Sequence, residues 1–574
     1  MSESSQLGEN AGAINIELAE PRLAKGNNTN AVYFCWPFQY VAGKVEHLSS
    51  TLQRITVGQL QQAVLNSHHI AEPEKNNQSI WNSGAPVGND DISPRIKQVL
   101  HAGGNQSSFL PCRLTSQAIS LLTSSEFSDS HSPASVLVNA KNALGLSIEA
   151  KPLCQQLFPD VSFENKGNVQ CVISFNIEDV FLYSNPMNSG ALVAKIHYCN
   201  VLLVQEGVAI KQRAITANDI QHANYYLYRD SQQAPLLVHT QCLPVPHAPK
   251  SDKDNRFIAI KEELQHRGIN VSLAQLEAVA NTELHCCYSP GKSSLLSLFK
   301  PVLGNLLNGA IDIDNQRTFT FSLLTLAEQA LTPAIHRLGY QIAKKESYRY
   351  PASMEVIEAS LLYHHDDVVH YLTPSGGCIM VLPNTHQHAN EAFLYPFIKE
   401  KGEQVFLPVF VLALIEQHYL KCLEVNNHFD VNVDNLNTLR EQLSIALKQL
   451  IDFRLNYRYS TVSVIQNHNI VYQRWREVFL LDKRLDEQTQ DVKECFELIK
   501  YEQETKSSRK LRRLESFSAI AAACIFLFGF FGMNITEVNG VSLFSGEFGW
   551  PHWMSIGVLL VAACYVFVVN RNNR

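Results

Sequence analysis

Apolar and polar positions fall into blocks along this chain, and the texture of the blocks changes three times. Up to about residue 165, short apolar runs are separated by polar, turn-rich stretches such as Pro73–Asn89 and Ala102–Ser108. That texture predicts an accessory region over 1–164, partly disordered or loosely packed. From Val169 the runs VQCVISF, DVFLYS, ALVAKIHYCNVLLVQ, VVHYL and CIMVL are rich in β-branched and aromatic residues and are bounded by turn residues. Helical runs stand between them, for example Ser272–Ala280 and Leu323–Lys345. Residues 165–400 are therefore read as an α/β domain.

After Pro408 neither Gly nor Pro occurs from Val409 to Phe528, and the run is rich in Leu, Glu, Gln, Lys and Arg. Such composition favours long helices. Within the helical region 401–466, Asp434 is placed to cap a helix carrying Leu436, Leu439, Leu443, Leu447 and Leu450 at helical spacing. A second stripe, Val471, Trp475, Val478, Leu485, Val492, Phe496 and Ile499, predicts a stalk helix over 467–516. It meets the next segment without a breaker; a continuous helix from about Asn467 to Phe528 would span about 90 Å at 1.5 Å per residue, the alternative being several shorter helices joined by kinks.

Two segments lack charge altogether. Ser516–Thr536 and Phe548–Asn570 hold no Asp, Glu, Lys or Arg, and each is long enough to cross a bilayer, which takes roughly 20 apolar residues. The reading is a transmembrane helix over 517–535, an extracytoplasmic loop over 536–550, a second transmembrane helix over 551–570 and a tail over 571–574. Pro551 suits a first helical turn, and Trp550 and Trp553 suit a membrane surface. Lys506, Arg509, Lys510, Arg512 and Arg513 precede the first segment, Arg571 and Arg574 follow the second, and Ile535–Gly549 between them has no Lys or Arg. The positive-inside rule then puts both termini in the cytoplasm of a multi-pass protein of the plasma (inner) membrane. No other spanning run is expected between Met1 and Glu515. The predicted fold class is thus an α+β cytoplasmic domain, a long stalk helix and two C-terminal transmembrane helices.

Composition narrows the function. The formal net charge of -7 over 574 residues comes without a basic stripe, so no nucleic-acid partner is expected. The thirteen scattered cysteines, with no CxxC spacing, and the polar acidic Met1–Glu20 point to reduced thiols and no signal peptide. No phosphate loop, nucleophile elbow or HExxH is present, so the chain is not expected to be an enzyme. His364, His365, Asp366, Asp367 and His370, with His386 and His388 nearby, could bind a metal but are read as solvated loop or helix-end residues.

The first uncharged segment ends in Phe531-Gly532-Met533-Asn534. This motif, at the outer end of the penultimate helix and behind a charged stalk, resembles the signature of the CorA-type magnesium channel family, over about the last 100 residues. The resemblance implies a homopentamer with the first membrane helix lining the pore, Gly532, Met533 and Asn534 as selectivity filter, passive magnesium flow, and regulatory divalent cations in the cytoplasmic domain. No cofactor beyond these ions is expected; the partners are the chain itself, the bilayer and divalent cations. From below, magnesium dehydrates reluctantly, so neutral Asn534 carbonyls, in effect a metal site, can hold the hydrated ion. Glu537 and Glu547 lie at the expected pore mouth, where carboxylates concentrate cations. Stepping back from Gly532 in threes and fours gives Gly529, Ile525, Ala522, Ser518, Leu514 and Leu511. Leu511 and Leu514 are the candidate hydrophobic gate, or else pack the helix bundle. Phe531 stands where the family commonly has Tyr, and no Pro-Glu pair follows the motif, so zinc or cobalt stays open as cargo. A membrane-anchored cytoplasmic sensor or scaffold is the alternative from another class.

Overall fold

Alternating β-branched and aromatic residues build the sheet, because such side chains pack well on a pleated surface. The computed structural model describes residues 30–40, 55–60, 78–83, 91–96, 112–123, 136–138, 144–148, 154–155, 157–158, 161, 169–185, 188–205, 208–229, 236–243, 285–290, 295–299, 311–313, 318–326, 331–346, 352–365, 368–382, 397–426 and 436–532, with Trp553, Gly557, Val561 and Tyr565 beyond them. The chain divides into two units, one of residues 1–425 and 455–484, the other of 426–454 and 485–574.

The first unit holds the sheet. Its strands are β1 (Ala31–Tyr40), β2 (Trp81–Ser83), β3 (Cys112–Leu114), β4 (Val136–Val138), β5 (Leu144–Ile148), β6 (Val169–Asn185), β7 (Ser189–Gln205), β8 (Val208–Ala214), β9 (Leu236–Leu243), β10 (His285–Pro290), β11 (Ile311–Ile313), β12 (Phe319–Thr325), β13 (Leu361–His365), β14 (Val368–Thr373) and β15 (Gly376–Val381). Their order is β13-β14-β15-β12-β1-β7-β8-β4-β10-β9-β5-β6-β3-β2, with β11 also on β1. Because β6 also pairs with β7, the strands from β7 round to β6 close into a ring. Pairing is antiparallel except β12 with β15 and β4 with β8, so the unit is α+β.

The strands β14, β15 and β12 are buried on both faces. On one side lies α3 (Pro333–Lys344), which follows α1 (Ser116–Thr123) and α2 (Ala217–Arg229). Thr332 caps α3 by accepting a hydrogen bond from the Ile335 N–H, Pro333 opens its first turn, and Lys345 ends it in the left-handed region at φ 58°. Gly339 lets α3 lie on the Tyr371 ring. The short α4 (Met354–Ser360) follows. On the other side Phe321 stacks on Phe410 of α5 (Leu407–Asn426) at 5.3 Å, and Phe410 meets Trp475 of α7 (Gln466–Val478) at 4.7 Å. Gly376, at φ 155°, is forced by crowding: a Cβ there would lie 2.1 Å from the Thr320 carbonyl oxygen. Gly376→Ala is expected to lower the stability of this unit by about 1–3 kcal/mol, read as a reduced urea midpoint; an unchanged midpoint would mean that β15 shifts freely.

Several expectations change here. The described part of 1–164 is not loosely packed: Val32, Phe34 and Phe38 of β1 have no exposed surface, and β1 lies inside the sheet between β12 and β7. Leu323–Lys345 is not one helical run, since Leu323–Thr325 belong to β12 and α3 begins at Pro333. Ser272–Ala280 and Asp434 lie outside the described residues. Among the described residues, Lys401–Val425 is a helix long and apolar enough to cross a membrane, although no spanning run was expected before Glu515. Most of it is buried, so it is a core helix of the first unit.

The second unit contains α6 (Leu436–Asp452) and most of α8 (Leu481–Gly532). Leu439, Leu443, Ala446 and Leu450 are buried on α6, and Leu485, Val492 and Ile499, seven apart, on α8. The expected stalk over 467–516 is interrupted: α7 ends at Val478, Leu480 takes φ 55°, and α8 starts at Leu481. The cause is tertiary. Phe479, 1% exposed, is anchored among Phe319, Phe410 and Trp475, which turns the backbone out of the helix at the next residue. From there α8 is unbroken for 52 residues, about 78 Å.

Candidate functional site

The second half of α8 changes surface without changing backbone. Lys506, Arg509, Lys510, Arg512 and Arg513 are exposed on it, as are Leu511 (58%) and Leu514 (64%). Neither leucine is packed away within the chain. Beyond Glu515 the helix continues uncharged, and Phe517, Ile525 and Phe526 are exposed at 72%, 71% and 74%. Such a surface in water is costly, whereas in a bilayer or against another copy it is favoured. The hydroxyls at this boundary are satisfied by the helix itself: Ser516 Oγ donates to the Arg512 carbonyl at 2.5 Å and Ser518 Oγ to that of Glu515 at 3.0 Å. That pattern leaves no hydroxyl needing water where the apolar segment begins.

Helix α8 is described as far as Gly532. Met533, Asn534, Glu537 and Glu547 lie outside the described residues, and so does most of 551–570. The described positions there, Trp553, Gly557, Val561 and Tyr565, are helical, and Trp553, Val561 and Tyr565 are exposed.

The histidine cluster is dispersed over two strands. His364 and His365 lie on β13 and His370 on β14 opposite Leu362, while Asp366, Asp367, His386 and His388 fall outside the described residues. His370 is not solvated: it is 2% exposed and meets the Phe406 ring edge-on at 4.9 Å. Among the described residues no group of three or more His, Cys, Asp or Glu could hold a metal ion.

Among the buried ionisable groups of the first unit that sequence reasoning passed over, Lys345 and Glu416 stand out. Lys345 is 4% exposed, with Nζ 3.9 Å from the Tyr228 ring centroid and donating to the Thr318 carbonyl. Burial pushes its pKa down to about 7, against a smaller opposing influence of Cys35. Glu416 of α5 is 2% exposed and accepts a hydrogen bond from Tyr472 Oη at 2.6 Å. Burial pushes its carboxyl up to about 8, against the opposing pull of that hydrogen bond and of Arg476. The available signal was one carboxylate inside the apolar run VFVLALIEQHYL.

No family model and no curated protein matches the chain. Two solved structures are similar in part. The CorA magnesium transporter from Methanocaldococcus jannaschii is 12% identical, with 44% of this chain and 89% of that chain covered and a TM-score of 0.20. The full-length CmaX protein is 14% identical, with 45% and 88% covered and a TM-score of 0.14. Superpositions this loose carry no inference about function.

Proposed function

We propose that this chain conducts divalent cations, magnesium first, passively across a membrane through an oligomeric pore, a homopentamer as the sequence resemblance implies. The observation that carries this reading is α8: one helix passes from a polar stalk through a basic girdle into an uncharged segment, exposed as far as it is described, with its hydroxyls bonded to the helix itself. In the proposal the face from Leu511 to Gly532 lines the pore, Asn534 carbonyls receive the hydrated ion, and Glu537 and Glu547 raise the local cation concentration at the mouth. The test is uptake by purified protein in liposomes loaded with a magnesium indicator, repeated with zinc and cobalt. Influx above protein-free vesicles is expected for magnesium. Faster zinc or cobalt uptake would change the cargo, and no flux of any divalent ion would leave a membrane-anchored sensor.

The leucines give a separate expectation. A ring of apolar side chains excludes water, and a hydrated ion crosses it only at a desolvation cost of several kcal/mol. Leu514→Asn should therefore conduct at internal magnesium concentrations that silence the parent. A variant that internal magnesium silences as fully as the parent would assign Leu514 to helix packing.

A further inference from the structure

The elbow between α7 and α8 is held by two arginines on one carboxylate, Asp482. Arg476 Nη1 donates to the Tyr459 carbonyl at 3.0 Å, and Nη2 pairs with Asp482. It therefore ties the segment before α7 to the first turn of α8, across the left-handed Leu480. Arg458 reaches the same Asp482 at 2.9 Å.

Behind this clamp stands the buried acid. Tyr472 donates to Glu416 at 2.6 Å, and the Arg476 guanidinium lies 5.7 Å from the Tyr472 ring centroid. Glu416, Tyr472, Arg476 and Asp482 thus form a chain from the middle of α5 to the start of α8. The clamp is incompletely satisfied: Arg476 Nε and Tyr459 Oη are buried without a hydrogen-bond partner among the described residues. Two unused donors beside a buried carboxyl are costly while that carboxyl is neutral and become useful once it is ionised.

We propose that Glu416 is a proton-operated latch on this elbow: protonated, it leaves Arg476 committed to Asp482, and ionised, it draws the guanidinium inward and loosens the first turn of α8. The groups that face it are all in place for this. Tyr472 and Arg476 approach from α7, Asp482 from α8, and Tyr459 from the segment before α7, with Arg95 over the Tyr459 ring at 5.6 Å. Asp482 opposes ionisation of Glu416 and Arg476 favours it. A carboxyl raised from 4.5 to about 8 in the fold binds its proton more tightly there than in the unfolded chain. It contributes stability in full below about pH 4.5 and loses it as pH rises through about 8. The unlatching direction is therefore alkaline.

The test is amide hydrogen exchange on the full-length protein in detergent, corrected for intrinsic rates, at about pH 6 and about pH 9. It reads the elbow directly and does not depend on ion flow, so it is decided apart from the conduction reading. Residues 479–484 are expected to exchange about tenfold faster at the higher pH, the change carried by one pKa unit of linkage. Glu416→Gln keeps an acceptor for Tyr472 and cannot ionise, so the difference should vanish. Tyr472→Phe removes the hydrogen bond that favours the ionised form, so the midpoint should move to higher pH. Parental exchange that does not vary with pH, or a Gln variant with the parental response, overturns the proposal. If the Gln variant does not fold, an unmoved midpoint in Tyr472→Phe overturns it.

Discussion

Asn534→Ala should lose divalent uptake by more than about a hundredfold while the oligomer stays intact. A carbonyl that hydrogen-bonds to the water shell of a charged ion contributes about 1.5–3 kcal/mol, and 1.4 kcal/mol is a tenfold change. In the proposed oligomer a ring would lose every copy at once, so even two carbonyls engaged with one ion would suffice for the loss. The substitution removes the acceptor and leaves a small apolar methyl, which cannot orient water. Asn534→Asp should fail for the opposite reason, since a ring of full charges holds a divalent ion too tightly to release it. Liposome uptake and mass measurement in detergent, made on the same preparation, separate conduction from assembly. Parental uptake by the Ala variant would remove Asn534 from the pathway, and a stable parental monomer would remove the pore.

The largest loss of stability is expected at Trp475→Ala, about 3–5 kcal/mol. The indole is 1% exposed and lies 4.7 Å from Phe410 and 5.2 Å from Phe479, centroid to centroid. Its ring also covers Gly377, where an added Cβ would come within 2.8 Å. A strand glycine, two rings and the elbow residue all bound the space that the substitution would empty, so the site has little freedom to collapse. Urea unfolding of the full-length protein, followed by near-ultraviolet circular dichroism, reads the effect. Trp553→Ala, at a position 65% exposed, is the comparison. A loss below about 1 kcal/mol at Trp475 would mean that the aromatic cluster repacks.

The sequence was most legible where structure is local. The runs at Val169–Phe175, Ala191–Gln205, Val368–Leu372 and Cys378–Val381 form strands as their β-branched alternation predicts. The breaker-free stretch after Leu481 forms one helix. What stayed hidden is set by distant partners. Ala31–Tyr40 contains Pro37, which argues against a central strand, yet the pairing with β7 and β12 places it inside the sheet. The elbow at Leu480 has no Gly or Pro to announce it, because Phe479 is captured by rings from β12, α5 and α7. The burial of Glu416 depends on what packs around the middle of α5, which the sequence does not give. Of the proposed filter residues, Gly532 is the only one that the described helix reaches, and the proposal for Met533 and Asn534 rests on their place in the sequence.

The central place of β1 sets a timetable for synthesis. Val32 pairs with Ile196, 164 positions later (196 − 32), and Ala31 pairs with Leu323, 292 positions later (323 − 31). Translation adds about 5–20 residues per second, so β1 waits roughly 8–33 s for its first neighbour and roughly 15–60 s for its second. During that interval Phe34, Trp36 and Phe38, which the finished sheet hides, have no native partner strand. Pairing across such sequence separation is slow even once both partners exist, because loop closure must precede any gain. The nascent chain therefore presents an aromatic strand with both edges open until β7 is made and one edge open until β12 is made, and its yield in a cell depends on what occupies those edges in the meantime.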